Sequence, residues 1–375
     1  MNIPFNKPFI GTQELKYIEA SLQNSRLSGD GEFTKRCHQW LEEQYGFPKT
    51  FLTTSCTHAL EMAALLTEIQ PGDEVIMPSY TFVSTANAFM LRGAKIVFAD
   101  SQSDHPNIDV SLIERHITPK TKVIIPVHYA GVGCDMDALN SIAKKNNIWV
   151  VEDAAQAIHA TYKGKALGSL GDLGCFSFHD TKNIICGEGG FISINRPEVR
   201  KRGEILREKG TNRAAFYRGE IDKYGWVDVG SSYLPSDVLA AFLLAQLEAA
   251  ELIQEERMKR WQYYYTALST LEKRGELSLP LIPAEAKHNA HVFYLVLPNG
   301  EKRDALMYYL RERGIQAPFH YLALHQSMYF KNYYKGPALP NSVKFTDCLI
   351  RLPLFVELST EQQDRVIQEI YNFFG

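Results

Sequence analysis

Between about residues 50 and 195 the chain repeats one rhythm, and that rhythm narrows the possible folds more than any other feature. Short apolar runs rich in β-branched residues, at 74–77, 95–98, 122–127 and 149–151, recur at roughly 25-residue spacing. Helix-period segments such as 135–145 lie between them. Strands alternating with helices predict an α/β fold, with a mainly parallel sheet covered by helices on both faces. A long helical stretch, 238–271, then leads out of this region. After Gly275 the pattern changes to a strand at 292–297, a helix at 303–313, a strand near 316–319 and a closing helix. That last helix opens on Ser359 with Gln362 three residues on, the spacing of a capping box. The expectation is a large α/β domain over 1–250, including the N-terminal segment, and a smaller C-terminal α+β domain over 251–375. No linker rich in Gly, Ser or Pro separates them, and no internal repeat is evident.

With 375 residues, 45% of them hydrophobic and 22% charged, the chain can build two such cores. A formal net charge of −3 spreads no basic field over its surface, which argues against nucleic acid or an anionic membrane as partner. Six cysteines, Cys37, Cys56, Cys134, Cys175, Cys186 and Cys348, form no Cys-x-x-Cys pair. Neither a zinc ribbon nor a secreted disulfide scaffold is expected. The opening Met1-Asn2-Ile3-Pro4-Phe5 has no apolar signal core, and no later run reaches the length of a membrane span. A soluble, unprocessed, cytoplasmic protein with reduced thiols is the expectation.

The chemistry is carried by Phe178-His179-Asp180-Thr181-Lys182-Asn183, which follows an apolar strand at 175–178 and precedes the glycine turn Gly187-Glu188-Gly189-Gly190. A lysine alone is a surface residue; one at a strand end can carry a Schiff base. Upstream, Trp149-Val150-Val151-Glu152-Asp153-Ala154-Ala155-Gln156 puts Asp153 at the end of another apolar strand, where α/β sheets bind ligands. An anion and an amine so placed are what pyridoxal 5′-phosphate (PLP) requires, the first to keep its pyridinium nitrogen protonated and the second to hold its aldehyde. Asp153 could equally cap a following helix. If a helix starts there, Gln156 shares its face and could reach the cofactor's phenolic oxygen. The hydroxyl-rich run Thr53-Thr54-Ser55-Cys56-Thr57 enters an amphipathic helix at 58–65, whose free amides either face an anion or belong to an ordinary cap. Phe82 reads as core by itself, or as a ring stacked on a flat heteroaromatic.

Two other motifs fall short. Gly131-Val132-Gly133 lies between a strand and a helix, as a dinucleotide fingerprint should, but Met136 stands where the third glycine belongs. His288-Asn289-Ala290-His291 lacks a nearby acid and begins a strand, so no metal site is expected there.

Several stretches, read in order, carry a resemblance. They are Leu27-Ser28-Gly29-Asp30-Gly31, Thr54-Ser55-Cys56-Thr57, Pro71-Gly72-Asp73-Glu74, Val151-Glu152-Asp153-Ala154-Ala155-Gln156, Phe176-Ser177-Phe178-His179, Arg207-Glu208-Lys209-Gly210-Thr211-Asn212-Arg213 and Arg351-Leu352-Pro353-Leu354-Phe355. With them the chain resembles the sugar-nucleotide aminotransferases of PLP fold type I over essentially its whole length. The resemblance implies that Lys182 holds PLP, Asp153 pairs with its pyridine nitrogen, Gln156 approaches the ring hydroxyl and Phe82 stacks on the ring. It places Ser177 and the backbones of Cys56 and Thr57 around the phosphate. It further implies L-glutamate as amino donor, a dTDP-linked ketosugar aminated at C4 for bacterial surface polysaccharide, and a homodimer with composite active sites.

On the substrate side the same likeness singles out His179, where 3-aminating relatives tend to carry tyrosine, and His320 with Tyr321, expected to close over the hexose. It also singles out the segment 209–233, whose Arg213, Arg218 and Lys223 have no obvious acidic run to pair with. Cys56 stands where many relatives have glycine, so its contact with phosphate is expected through the amide. Leu234 stands where many supply a cross-subunit asparagine, and 327–346 matches poorly. A PLP-dependent sugar dehydratase would carry histidine for Lys182, and a silent sugar-nucleotide-binding protein would be expected to lose Lys182 or Asp153.

Overall fold

A seven-stranded sheet forms the centre of the computed structural model, which describes residues 2–24 and 26–375; Met1 and Ser25 lie outside the described residues. The strands are β1 (Thr50–Thr53), β2 (Glu74–Pro78), β3 (Lys95–Ala99), β4 (Thr121–Ile124), β5 (Trp149–Asp153), β6 (Leu173–Ser177) and β7 (Gly190–Ile194). Their spatial order is β1-β7-β6-β5-β4-β2-β3. Neighbours pair in parallel from β6 through to β3, and β7 alone runs against the rest, antiparallel to both β1 and β6. Every residue of β2, β6 and β7 is buried. Helices cover both sheet faces, which is why these strands read as continuous apolar runs and not as alternating ones. The run at 122–127 gives a shorter strand than expected, because Pro126 has no N–H to offer a ladder.

The helices of this layer are α1 (Glu14–Gln23), α2 (Glu32–Tyr45), α3 (Cys56–Leu66), α4 (Val83–Met90), α5 (Met136–Asn146), α6 (Arg200–Arg207), the short α7 (Arg213–Tyr217) and α8 (Asp237–Glu248). Asp135 caps α5 by accepting the Ala138 N–H. The expected single helix over 238–271 is two helices: α8 closes at Ala249, and α9 (Ala250–Lys273) continues beyond it. Packing explains the division. Leu243, Leu244 and Leu247 of α8 belong to the core of the large sheet, whereas Trp261, Tyr264, Leu268 and Leu271 of α9 belong to a second core.

That second core is built on β8 (Phe293–Val296) and β9 (Leu349–Leu352), an antiparallel pair, with α10 (Gly300–Glu312) and α12 (Thr360–Phe374), while α11 (Pro340–Cys348) puts Phe345 and Cys348 into a separate cluster with Tyr80 and Tyr129. The capping box forms as expected: Ser359 Oγ accepts the Gln362 N–H at 3.3 Å and Gln362 Oε1 accepts the Ser359 N–H at 3.0 Å. The strand expected near 316–319 is absent, since Pro318 interrupts it. Only isolated bridges form at its ends, Ile315 with Ile3 and Phe319 with Ile350. Ile3 thereby packs into the second core, so the N-terminal segment crosses the proposed division between 1–250 and 251–375. All six cysteines are buried and unpaired. Among the described residues no helix is long and apolar enough to cross a membrane.

Candidate active site

A cavity of about 860 Å³ opens where β5 and β6 end, between the large sheet and the segment 318–327. It is lined by Cys56, Thr57, Phe82, Asp153, Gln156, Ser177, His179, Lys182, His320 and Tyr321, so most of the sequence candidates converge on one place. Register explains part of this. Asp153 pairs opposite Cys175, and Ser177, two residues further along β6, returns to the same sheet face.

Asp153 is buried, and burial pushes its carboxyl pKa up; the Thr85 hydroxyl, the Ala155 N–H and the nearby Lys182 pull it back. Thr85 Oγ1 donates to Asp153 Oδ2 at 2.7 Å and Ala155 N–H to Oδ1 at 3.2 Å. Because the Thr85 hydrogen is spent on Asp153, Thr81 must be the donor in the 2.9 Å contact between the two threonine hydroxyls. No helix follows Asp153; a turn does, so the helix-cap reading and the shared helical face with Gln156 are both corrected. Gln156 reaches the site from that turn. Its Oε1 accepts the Ala130 N–H at 2.7 Å and its Nε2 donates to Tyr321 Oη at 2.9 Å.

Glu152 points to the opposite face of β5, as alternation requires. There it is fully buried and accepts the N–H groups of Gly168 (2.7 Å), Leu170 (2.7 Å) and Gly171 (2.5 Å), with His128 Nε2 at 2.8 Å. His128 Nδ1 accepts the Cys134 N–H, so its Nε2 carries the hydrogen given to Glu152. The carboxylate thus ties the loop after residue 166 to the strand that presents Asp153.

Lys182 sits on a closed turn: its N–H donates to His179 O at 2.9 Å, while Phe178 bonds Gly189 and Cys186 across the base. Burial lowers the pKa of its amine; Cys56 and Asp153 oppose that, and Arg351 adds to it. At Gly190, where β7 begins, a Cβ would lie 2.4 Å from Phe176 O and 2.6 Å from Cys56 N. Only glycine lets the N-terminus of α3 come this close to the sheet. At that terminus Ser55 accepts the N–H groups of His58 and Ala59, and Cys56 and Thr57 have no intrahelical acceptor for theirs. Thr57 and Ser84 hydroxyls lie 2.8 Å apart beside them, with Ser177 across the cavity. Free amides at the positive end of a helix, flanked by hydroxyls, suit a phosphate. With a buried carboxylate and an amine of lowered pKa in the same cavity, the residues present fit PLP.

On the other side, His320 Nδ1 meets Tyr129 Oη at 2.8 Å and its ring stacks on Tyr321 at 3.6 Å. Burial, then Arg351, Lys182 and His291, hold its pKa well below the usual imidazole value, so it is neutral at neutral pH. His179 is half-exposed, with Nδ1 2.8 Å from Asp180 Oδ1. Phe82 is 54% exposed into the cavity and 6.1 Å from the Tyr321 ring, which removes its reading as core.

Arg213, Arg218 and Lys223 do not line this cavity within the chain. The expectation that they lack acidic partners fails for two of them. Arg218 is clamped by Glu204 at 2.6 and 2.9 Å and by Glu220 at 2.7 Å, and Arg213 lies 3.3 Å from Glu208. Glu204 comes from α6, a neighbour in space that a search for a local acidic run passes over. Leu234 packs against Gly29 of its own chain. His288 and His291 are both buried; His291 Nδ1 meets Asn183 Oδ1 at 2.9 Å, and no group of side chains suited to a metal occurs among the described residues.

Sequence reasoning gave no role to Thr85, Tyr129 or Arg351. For Arg351 a signal existed: a charged residue within the apolar run that becomes β9.

The DegT/DnrJ/EryC1/StrS aminotransferase family model matches residues 8–371. The chain belongs to this family. Its members are PLP-dependent transferases, and PLP is the cofactor the site accepts. A Streptococcus pneumoniae protein assigned as a sugar aminotransferase is 28% identical, with a TM-score of 0.92 and coverage of 100% of this chain and 98% of that one. The same protein has been solved with PLP and with pyridoxamine phosphate. The aminotransferase TlmJ from Streptoalloteichus hindustanus is 27% identical, with a TM-score of 0.92 and coverage of 100% and 99%. DesV of S. venezuelae, solved with a reaction intermediate, is 29% identical, with a TM-score of 0.90 and coverage of 99% and 98%.

Proposed function

We propose that this aminotransferase moves the amino group of L-glutamate to C4 of dTDP-4-keto-6-deoxy-D-glucose, as a dTDP-4-amino-4,6-dideoxygalactose transaminase serving surface polysaccharide synthesis. The observation that carries the amination chemistry is Lys182 in one cavity with buried Asp153. The C4 assignment leans on His179, which shares the cavity with Lys182 three residues away.

When bound, PLP supplies an aldehyde that takes up the amino group and a ring that accepts electrons from carbon. Asp153, whose carboxyl pKa burial raises and whose charge Thr85 and Ala155 favour, would provide the anion at the ring's nitrogen end. Cys56 and Thr57 amides, with Ser177, hold the phosphate, and the Phe82 ring covers the flat face. Lys182, whose amine burial biases toward the neutral form, takes the proton from the α-carbon of glutamate and returns one to C4 of the sugar. General acid–base help of this kind is worth about 10²- to 10⁴-fold. His179 faces a hydroxyl of the hexose, and His320 with Tyr321 closes the opposite wall.

The active unit is a homodimer with composite sites. Support comes from the segment carrying Arg213, Arg218 and Lys223, which also presents Trp226 at 83% and Tyr217 at 62% exposure, an apolar surface a second copy would cover. Lysine and arginine side chains there would face the sugar nucleotide of the other subunit.

The test is to incubate the yellow holoenzyme with L-glutamate and either dTDP-4-keto-6-deoxyglucose or its 3-keto isomer, and locate nitrogen in the product by NMR. Nitrogen at C4 in the galacto configuration is expected. Nitrogen at C4 in the gluco configuration overturns the product, and turnover of the 3-keto compound alone overturns the regiochemistry.

A further inference from the structure

His291 belongs to a motif, His288-Asn289-Ala290-His291, to which the amination chemistry gives no role, yet it shares a small space with the reactive lysine. A polar chamber of about 40 Å³ adjoins the main cavity, and Lys182 lines both. That is room for about two or three water molecules. Phe5 and Asn6 supply one wall: the Phe5 N–H donates to Gln316 Oε1 at 3.2 Å, its carbonyl accepts the Leu354 N–H at 3.2 Å, and Asn6 Nδ2 donates to the Asp180 carbonyl at 3.1 Å. His291, on the chamber's lining, is buried, and its backbone is held in place. Arg257 Nη2 donates to its carbonyl at 2.6 Å, and its N–H donates to Asn289 Oδ1 at 3.1 Å. Among the described residues its ring has one hydrogen-bond partner, Asn183 Oδ1, 2.9 Å from Nδ1. Because Asn183 Nδ2 is spent on the Asn289 carbonyl at 2.7 Å, that amide turns its oxygen to the ring, and Nδ1 carries the imidazole hydrogen. Nε2 is therefore a bare acceptor. Burial, then Lys182, Arg257 and Arg351, hold the His291 pKa well below the usual imidazole value, so Nε2 stays unprotonated. An enclosed acceptor is costly unless something donates to it, and water is the donor that fits this space.

Resting on the reading of the site as that of an aminotransferase with an amino-acid donor, we propose that His291 is a positioning residue that holds, through Nε2, the water consumed when the donor leaves as a keto acid. A water that gives one hydrogen to Nε2 keeps its lone pairs and its second hydrogen free for Lys182, whose amine burial biases toward the neutral, proton-accepting form. Its oxygen bonds the carbon that was the donor's α-carbon, and the second hydrogen passes to Lys182 Nζ and on to the nitrogen. The first hydrogen follows as the carbon–nitrogen bond breaks and the ketone forms. Both hydrogens end on the nitrogen and the oxygen on the carbon, so no further reactant is needed. Water in the main cavity is displaced by the donor and the hexose, whereas the chamber is too small for either. A proton relay from Lys182 to the imidazole is disfavoured, because three basic side chains oppose a charge on that ring.

Two measurements on the PLP-loaded protein test this. A high-resolution crystal structure should show a water about 2.7–3.2 Å from His291 Nε2, and the His291→Phe variant should lack it. With L-glutamate in D2O, NMR then follows loss of the α-hydrogen separately from release of 2-oxoglutarate. In His291→Phe release should slow about 10- to 100-fold, the scale for a misplaced reactant, while α-hydrogen exchange changes less than about three-fold. His291→Gln, whose Oε1 accepts a hydrogen bond from water, should regain part of the release rate. Equal slowing of exchange and release would place the imidazole in proton removal or in the support of the fold and overturn the proposal. Unchanged release in His291→Phe, or a chamber without that water, would overturn it as well. A wild-type protein that takes up no PLP would instead sink the aminotransferase reading itself.

Discussion

Thr85 Oγ1 donates a hydrogen bond of 2.7 Å to Asp153 Oδ2 across the boundary between helix α4 and strand β5. Burial raises the Asp153 pKa, and this hydroxyl is the strongest of the contacts that lower it again. Its removal therefore lets the pKa climb. In Thr85→Val, a change of similar volume, the acid limb of the kcat/KM against pH profile should move to higher pH while far-ultraviolet circular dichroism stays unchanged. A profile that superimposes on the wild type would show that Thr85 does not tune the carboxylate.

Asp153 should also trade stability for function. Its pKa is higher in the folded protein than in the unfolded chain, so ionising it costs stability: the contribution is complete below the unfolded value and is lost as pH rises through the folded value. In the cofactor-free protein Asp153→Asn should accordingly raise Tm at pH 7, with the gain shrinking below about pH 4, near the unfolded carboxyl pKa. The same variant loaded with PLP should lose most of its turnover. Thermal scans from pH 4 to 8 check the first part; a lower Tm at pH 7 would contradict it.

Glu152, one residue away, should behave in the opposite manner. It satisfies three backbone N–H groups in the loop 168–171 and the His128 ring. Glu152→Ala leaves these buried donors unpaired and should cost about 3–5 kcal/mol, the range for breaking a buried charged network; Glu152→Gln should cost less. Urea denaturation monitored by tryptophan fluorescence measures both. A loss under 1 kcal/mol in the alanine variant would mean that water replaces the carboxylate.

The subunit arrangement can be tested at Trp226, the most exposed aromatic of the segment 213–229. A charge at the centre of an apolar interface typically weakens it by at least about 10-fold. Trp226→Asp should shift the proposed dimer toward monomer in light scattering at micromolar concentration and lower turnover with it. In a separate mixing experiment, Lys182→Ala and a variant with Arg213, Arg218 and Lys223 replaced by alanine should regain activity through hybrid dimers. No recovery despite demonstrated subunit exchange would remove the composite site.

Local order was legible in the chain itself. The apolar runs that became β2 to β5, the Ser359 capping box, and the placing of Asp153 and Lys182 after buried strands all rest on interactions within a few residues, which spacing and side-chain type express directly. What tertiary structure alone decided were relationships between segments far apart in sequence. Thr85 supports Asp153, Gln156 reaches Tyr321, Glu204 of α6 neutralises Arg218, and Ile3 joins a core otherwise made of C-terminal residues. The break at Ala249 belongs with these, since no proline or glycine marks it and only the two cores on either side require it. Arg351 is the clearest case. Its sequence shows a charge in an apolar strand, but that the half-buried guanidinium lines the same cavity as Lys182 follows from packing, because segments this far apart in sequence meet only in the folded chain.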